Sequence, residues 1–246
     1  MLPIPAEELN GSGTLGPYWT FYRAVAAEQL NRWLPAEPSV VLDLSGGRGR
    51  WSGQAAKAGH RVIEVLDFRR TLDAHSRLHD AGRVRHIRAD DLAFLPDGCV
   101  DAVLCEERAM SIELMAESAM NDVARVLRPG GRALVCVDSL VLGMAILAEQ
   151  GQWQHLRQTG EVMLVPWPDG SITRCFSSGQ LRELLAGAGL EVEWMRPRTV
   201  LSPSTVDHVL GSDARALNYL VRTELEAQPN DDDTVGIHLV ASARKS

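Results

Sequence analysis

Short apolar, β-branched runs alternate with amphipathic stretches along nearly the whole chain. The runs at 40–44, 61–66, 84–88, 101–105, 132–137, 190–194 and 236–243 have the length and composition of strands. Helical periods lie between them. In 19–34, Leu30, Trp33 and Leu34 fall at i, i+3 and i+4, and in 118–127 Met120, Val123, Ala124 and Leu127 make one stripe. In 177–188, Ser177 and Gln180 have capping-box spacing ahead of Leu181, Leu184 and Leu185. This alternation predicts an α/β fold, a doubly wound sheet of seven mostly parallel strands with helices on both faces. Such sheets bind ligands beyond the carboxyl ends of the strands, where the strand order reverses. The turns after the strands are therefore the places to look for chemistry. Segments 1–18, 139–173 and 202–234 exceed what that core needs and read as a cap over the strand ends.

Composition narrows the classes. Of 246 residues, 45% are hydrophobic and 23% charged, values of a globular chain rather than a disordered one. The net charge of −7 repels phosphate backbones and anionic lipid, and no basic cluster offsets it locally. Neither a nucleic-acid nor a membrane partner is expected. The longest apolar stretch, 139–148, is too short to span a bilayer. Glu7 and Glu8 arrive early, without the apolar region of a signal peptide after them. Cys99, Cys105, Cys136 and Cys175 lack CxxC spacing, which points to reduced thiols, a cytoplasmic protein and no metal site.

The strongest local signal is the run Val40-Val41-Leu42-Asp43-Leu44-Ser45-Gly46-Gly47-Arg48-Gly49, a buried strand entering a glycine cluster ahead of a helix. Glycines let backbone approach a ligand closely, and the free N–H groups of a helix start favour an anionic group. Asp67 stands just after the second strand, where a carboxylate can accept from a ribose diol. Turn and acid together point to a ribose-containing cofactor; the plainer reading makes Asp67 a helix cap or a loop acid.

Five blocks in this order resemble the class I S-adenosylmethionine-dependent methyltransferase family. The segment 41–49 resembles its glycine-rich first motif, with Asp43 at the acidic position, Ser45 where a glycine is usual and Gly46 where a cysteine is common. Asp67 resembles the acid ending the second strand, one residue later than the usual spacing. Arg88-Ala89-Asp90-Asp91-Leu92 resembles the segment after strand three, and Leu95-Pro96-Asp97-Gly98-Cys99-Val100-Asp101 the approach to strand four, slightly shortened. Arg125-Val126-Leu127-Arg128-Pro129-Gly130-Gly131 resembles the block before strand five. The likeness runs from about 40 to 137 and weakens beyond.

The resemblance implies S-adenosyl-L-methionine as cofactor and assigns roles. Ser45, Gly46, Gly47 and Gly49 would form the turn beside the ribose and methionine portions. Asp43 would help hold the methionine amino group, and Asp67 the ribose hydroxyls. Asp90 or Asp91 would accept from the adenine amine, Asp90 being preferred, with the Leu92 N–H reaching the ring. Cys105 and Glu106 would line the pocket near the reacting methyl, and Tyr22 (or Tyr18) would offer a hydroxyl to the methionine carboxylate. The implied fold has an antiparallel last strand. It divides a single methyltransferase domain, 1–246, into a cap helix region at 1–38, a cofactor-binding core at 39–138, and substrate-side insertions at 139–176 and 202–234.

The acceptor is less legible. Methyl transfer is an in-line displacement at an activated carbon, so positioning supplies much of the rate. No Asn-Pro-Pro-aromatic motif follows strand four, where the chain reads Cys105-Glu106-Glu107-Arg108. Candidate bases are His155, Asp207, His208, Glu106 and Glu107; His60 and His86 flank strands as structural groups, and no base is assigned. Trp153 and Trp167 could line an acceptor pocket, and Arg196 and Arg198 could meet an acidic substrate or solvent. The expected function is methylation of a small-molecule acceptor at oxygen, nitrogen or carbon, in a monomer or homodimer, within bacterial specialised metabolism. The alternatives are a catalytically inactive S-adenosylmethionine-binding sensor or partner protein, suggested by Ser45, and an NAD-dependent oxidoreductase, suggested by Gly47-Arg48-Gly49.

Overall fold

The computed structural model describes residues 16–46, 49–66, 82–152, 162–167, 170–227 and 236–246. Asp67, Gly47, Trp153 and His155 lie outside the described residues.

The first helix, α1 (Pro17–Trp33), starts with proline at its first turn, where the ring's fixed φ suits a helix and the missing N–H is not needed. It ends just before Pro35, which disfavours helical geometry in Leu34. Beyond it come β1 (Val40–Asp43), α2 (Arg50–Lys57), β2 (Arg61–Leu66), β3 (Val84–Arg88) and β4 (Val100–Cys105). A short α3 (Ala109–Ile112) and α4 (Ala116–Val126) then lead to the long β5 (Leu127–Ser139). The segment 139–176 holds α5 (Leu140–Glu149) and a hairpin of β6 (Met163–Pro166) and β7 (Ile172–Phe176). After α6 (Ser178–Gly187) and β8 (Leu190–Pro197), helices α7 (Pro203–Ser212) and α8 (Leu217–Ala227) precede β9 (His238–Lys245). The Ser177/Gln180 capping box forms at the start of α6, and Ser139 and Ser202 cap α5 and α7.

β1, β2, β3, β4 and β5 pair in parallel in the order 3-2-1-4-5. β9 runs antiparallel between β5 and β8, as expected for the last strand. The seven expected strands are all present. The β6–β7 hairpin adds two more, and β7 pairs with the last residues of β5, Asp138 and Ser139. Asp138 also pairs with His238 of β9, so the hairpin occupies the other edge of β5 and extends the sheet past the end of β4. One face of the sheet is covered by α1 and α2 through Leu30, Trp33, Trp51 and Ala55, the other by α4 and α6 through Met120, Val123, Leu181 and Leu185. The segment 202–227 is helical where no elements were assigned: α7 and α8 bury Val206, Leu220 and Leu225 against Phe21 and Val25 of α1. Among the described residues no helix is long and apolar enough to cross a membrane.

The Arg-Pro-Gly-Gly block has a steric cause. The β4–β5 register shifts between Val100 and Ala102, and β5 loops out there through Gly130, whose φ is +78°. At Gly131 an added Cβ would meet the Arg128 carbonyl oxygen at 2.9 Å and the Asp101 carbonyl oxygen at 3.1 Å, backbone that cannot swing away. Gly131→Ala is therefore expected to lower the unfolding free energy by about 2 kcal/mol, the usual cost of overpacking, measured by urea denaturation.

Candidate functional site

The carboxyl ends of β1, β2, β4 and β5, with the start of the antiparallel β9, converge on one edge of the sheet. The turn after β1 needs glycine: Gly46 has φ +89°, and Gly49, at the N-cap of α2, has φ +67°. Beneath the turn lies Asp43, 2% exposed, which accepts from the Ser45 N–H (2.9 Å) and the Ser52 hydroxyl (2.5 Å). Glu64 stands beside it at an inward position of β2 and accepts from the Gly49 N–H at 3.0 Å. His86 Nδ1 of β3 lies 2.8 Å from the other Glu64 oxygen. Burial pushes both carboxyls above their ordinary range, and the Asp43 charge adds to the rise at Glu64. Two acids in a pocket of mostly neutral donors are suited to a bound cation.

Ser45 has a further partner, its hydroxyl accepting the Glu106 N–H at 3.0 Å. This bond ties the glycine turn to the tip of β4, a contact that glycine at this position could not make. The Glu106 carboxylate is itself committed. Both its oxygens lie 2.5–2.6 Å from one Arg198 nitrogen, and another nitrogen of Arg198 donates to Gln29 of α1. Arg198 is wholly buried, so the reading of it as a surface or substrate-facing cation gives way to an internal ion pair. Cys105 points to the opposite face of the sheet, among the core side chains under α4 and α6, and burial raises its thiol far above the ordinary value. Only its backbone reaches the strand tip.

Asp90 and Asp91 are both exposed, and Asp91 closes a turn by accepting the Ala93 N–H at 3.0 Å. The buried Leu92 anchors this segment, which Arg125 of α4 clamps by donating to the Leu92 and Leu95 carbonyls at 2.8 Å each. Two of the family-like blocks are thus held together by one guanidinium.

Tyr22, half-buried on α1, directs its hydroxyl to His238 Nδ1 at 2.8 Å. Tyr18 meets the Thr199 hydroxyl at 2.9 Å, and its backbone N–H donates to Asp207, so that aspartate joins α7 to α1. His60 accepts the Ser39 N–H at 3.2 Å, a structural role. His208 is exposed on α7. Trp167 donates to Thr173 at 2.8 Å while the Arg108 guanidinium stacks 4.7 Å over its ring. Arg108 grips Asp138 in a two-point bond, Nε at 2.7 Å and a terminal nitrogen at 2.9 Å. Glu107 and Arg108 both hold left-handed backbone, φ +53° and +65°, a strain of order 1–2 kcal/mol each that this buried grip sustains.

Glu64, Asp138 and His238 were missed in the sequence, and Arg198 was named there without its partner. Each is a charged or titratable residue within or at the end of an apolar strand, a pattern that marks buried polar groups but names no partner. Among the described residues no cluster of His, Cys, Asp and Glu is arranged to hold a metal.

Residues 42–135 match the family model of a methyltransferase domain. Over this stretch the chain is similar to a methyltransferase domain. The fold of the chain agrees with it. A Burkholderia thailandensis 1,6-didemethyltoxoflavin-N1-methyltransferase, solved with 1,6-didemethyltoxoflavin and S-adenosylhomocysteine, superposes with a TM-score of 0.59 at 19% identity, over 93% of this chain and 81% of that one. An S-adenosylmethionine-dependent methyltransferase from Mesorhizobium loti superposes at 0.55 and 15% identity, over 92% and 100%. The [4+2]-cyclase SpnF does so at 0.56 and 17%, over 89% and 80%. No curated protein matches the sequence. At these identities the likeness is one of fold, the Rossmann-like class I methyltransferase fold.

Removing Arg198 from its buried pair should strand the Glu106 charge. Arg198→Met is expected to cost about 3–5 kcal/mol of stability, and adding Glu106→Gln to recover part of it, read by chemical denaturation. The glycine-turn acids give a pH signature. As pH falls through the raised carboxyl pKa values of Asp43 and Glu64, their charge is lost, so affinity for a cationic ligand such as S-adenosylmethionine should fall with it, measured by calorimetry across pH.

Proposed function

We propose that the protein transfers the methyl group of S-adenosylmethionine to a small-molecule acceptor. The observation that carries this reading is the pair of buried carboxylates, Asp43 and Glu64, beneath the left-handed glycine turn of a methyltransferase domain. When bound, the cofactor supplies a methyl carbon made electrophilic by its sulfonium. The chain's own residues bind and orient. Gly46 and Gly49, with Gly47 between them, let the backbone pass beside the ligand. Asp43, through its Ser45 and Ser52 donors, fixes the turn and presents negative charge to the methionine ammonium. We place Asp67 on the ribose hydroxyls and the exposed Asp90 on the adenine amine, since Asp91 is occupied by its own turn. Glu106 acts through Arg198 to hold the tip of β4, and Tyr22 belongs to the acceptor side rather than to the methionine carboxylate. The segments 139–176 and 202–234 carry α5, the β6–β7 hairpin, α7 and α8 above the strand ends, where an acceptor would sit, within one catalytic domain.

Ser45, the feature that suggested a binder without catalysis, has a structural purpose in its bond to the Glu106 N–H. The small-molecule reading is also supported by the acidic net charge of −7, and by the toxoflavin-precursor methyltransferase of similar fold.

Calorimetry with S-adenosylhomocysteine and with NADH tests the assignment. Binding of the first and not the second is expected, and Asp67→Ala should weaken it by the loss of one or more charged hydrogen bonds, about 1.5–3 kcal/mol each. Heat with NADH alone, or with neither, would reject it.

A further inference from the structure

Two buried polar chains meet near α1. The first, Gln29–Arg198–Glu106, is a closed ion pair. The second runs from Tyr22 through His238 and Asp138 to Arg108, and the glycine turn has no part in it. Asp138 is the penultimate residue of β5, His238 starts β9 as its register partner, Arg108 follows β4, and Tyr22 comes from α1. All four therefore sit at the carboxyl ends of the parallel strands. β5 is two strands from β1, roughly 10 Å, which is the side left for an acceptor.

Distances and neighbouring charges together assign the protons. Asp138 Oδ1 is 3.3 Å from His238 Nε2, and both Asp138 oxygens accept from Arg108. Burial pushes the Asp138 carboxyl up, but Arg108 and His238 outweigh it and hold it below its ordinary value, so it is a carboxylate. Burial pushes the His238 imidazole down more than Asp138 raises it, with Arg108 and Arg198 adding to the fall, so the ring is neutral at pH 7. We assign the proton of the neutral imidazole to Nε2, the nitrogen nearer the Asp138 carboxylate, an electrostatic approach at 3.3 Å rather than an aligned hydrogen bond. Nδ1 is then an acceptor, and the Tyr22 hydroxyl 2.8 Å away must donate to it. Burial keeps that hydroxyl protonated. Its oxygen lone pairs remain for an incoming donor. His238 and Asp138 are buried, and Tyr22 is the one member of this chain that keeps some exposure as a residue, although its hydroxyl is itself buried.

We propose that Tyr22, His238 and Asp138 form a proton relay that serves an acceptor bearing a phenol- or enol-type hydroxyl, making the reaction an O-methylation. This rests on the methyl-transfer reading above. The acceptor hydroxyl donates to Tyr22 Oη. As its oxygen forms the new O–C bond, the C–S bond of the sulfonium breaks and leaves its electron pair on sulfur. The acceptor proton passes to Tyr22 Oη while Tyr22's own proton passes to His238 Nδ1. The imidazolium that results faces the Asp138 carboxylate, and its extra proton is lost to solvent after product leaves. A neutral histidine of lowered basicity is a weak base, so the transfer is feasible from an acidic hydroxyl and poorly matched to an alkyl alcohol. A neutral amine already has its lone pair and would leave the relay idle.

The groups facing His238 are Tyr22 from α1, Asp138 from β5, Arg108 from the turn after β4 and Arg198 from the end of β8. Protonation of His238 removes the acceptor, so turnover should fall as pH drops through its pKa. The full chain, with methyl-tritiated S-adenosylmethionine, is offered ring phenols and enols, and in parallel the matching anilines and alkyl alcohols. Label on the hydroxyl of phenols or enols is expected. Tyr22→Phe, and His238→Asn, whose side-chain oxygen can accept from Tyr22 but cannot hold a proton, should each lower kcat by ~100-fold or more. KM and S-adenosylhomocysteine binding should change little, and His238→Asn should lose the acid limb of the pH profile. Should the variants not fold, the imidazole 15N shifts of the wild-type protein still decide: a neutral Nε2–H form at pH 7 is expected, and an Nδ1–H form or a protonated ring overturns the relay. Label only on amines or alkyl alcohols, no label at all despite S-adenosylhomocysteine binding, or an unchanged kcat in His238→Asn also overturns it. Absence of S-adenosylhomocysteine binding in the wild type instead defeats the methyl-transfer reading itself.

Discussion

A carboxylate withdrawn from water must be met by a cation or by a full set of hydrogen-bond donors, and the strand tips of this protein bury four of them side by side. Asp43, Glu64, Glu106 and Asp138 are each no more than 2% exposed. Their partners differ. Glu106 and Asp138 each have an arginine, Arg198 and Arg108, in close two-oxygen contact. Among the described residues, Asp43 meets an N–H and a hydroxyl, and Glu64 an N–H and a histidine. Among the described residues, arginines thus balance the negative charge under β4 and β5 and none does so under β1 and β2.

That asymmetry divides the site. On the β1–β2 side the excess charge lies below a backbone opened by glycine, an arrangement that gains most from a cationic ligand. On the β4–β5 side the paired charges offset the cost of their burial against each other and lock neighbouring groups in one geometry. Arg198 ties the end of β8 to α1 and the β4 tip. Arg108 ties the β4–α3 turn to the end of β5, and its stacking on Trp167 draws in the β6–β7 hairpin. The left-handed backbone at Glu107 and Arg108 is a local cost that the Asp138 grip offsets, which is why the turn can aim a guanidinium inward immediately after a strand.

The cap is joined to the same edge by polar bonds over an apolar base. Glu224 of α8 accepts from the Val200 and Leu201 N–H groups, and Asp207 of α7 from the Tyr18 N–H. Phe21, Val25, Val206 and Leu220 fill the space beneath. The helices over the strand ends and the end of β8 therefore form one packed unit, and Tyr22 is held between that unit and the start of β9.

What could be read from the chain were features written in neighbouring residues: seven strands from their apolar runs, the α6 capping box from Ser177 and Gln180, the glycine turn with Asp43 beneath it, and the antiparallel last strand from the family-like blocks. Hydrophobic period and local hydrogen bonding fix these within a few residues, so proximity in sequence suffices. Segments 139–176 and 202–227 hid their helices and hairpin, because such elements gain their stability from packing on α1 and β5 rather than from a strong local signal. The tertiary structure alone decided the partners of the buried charges. Glu106 meets Arg198 across 92 positions, and Tyr22 meets His238 across 216. A charge in an apolar strand announces that it needs a partner, but which one it finds depends on the order in which the strands are laid side by side.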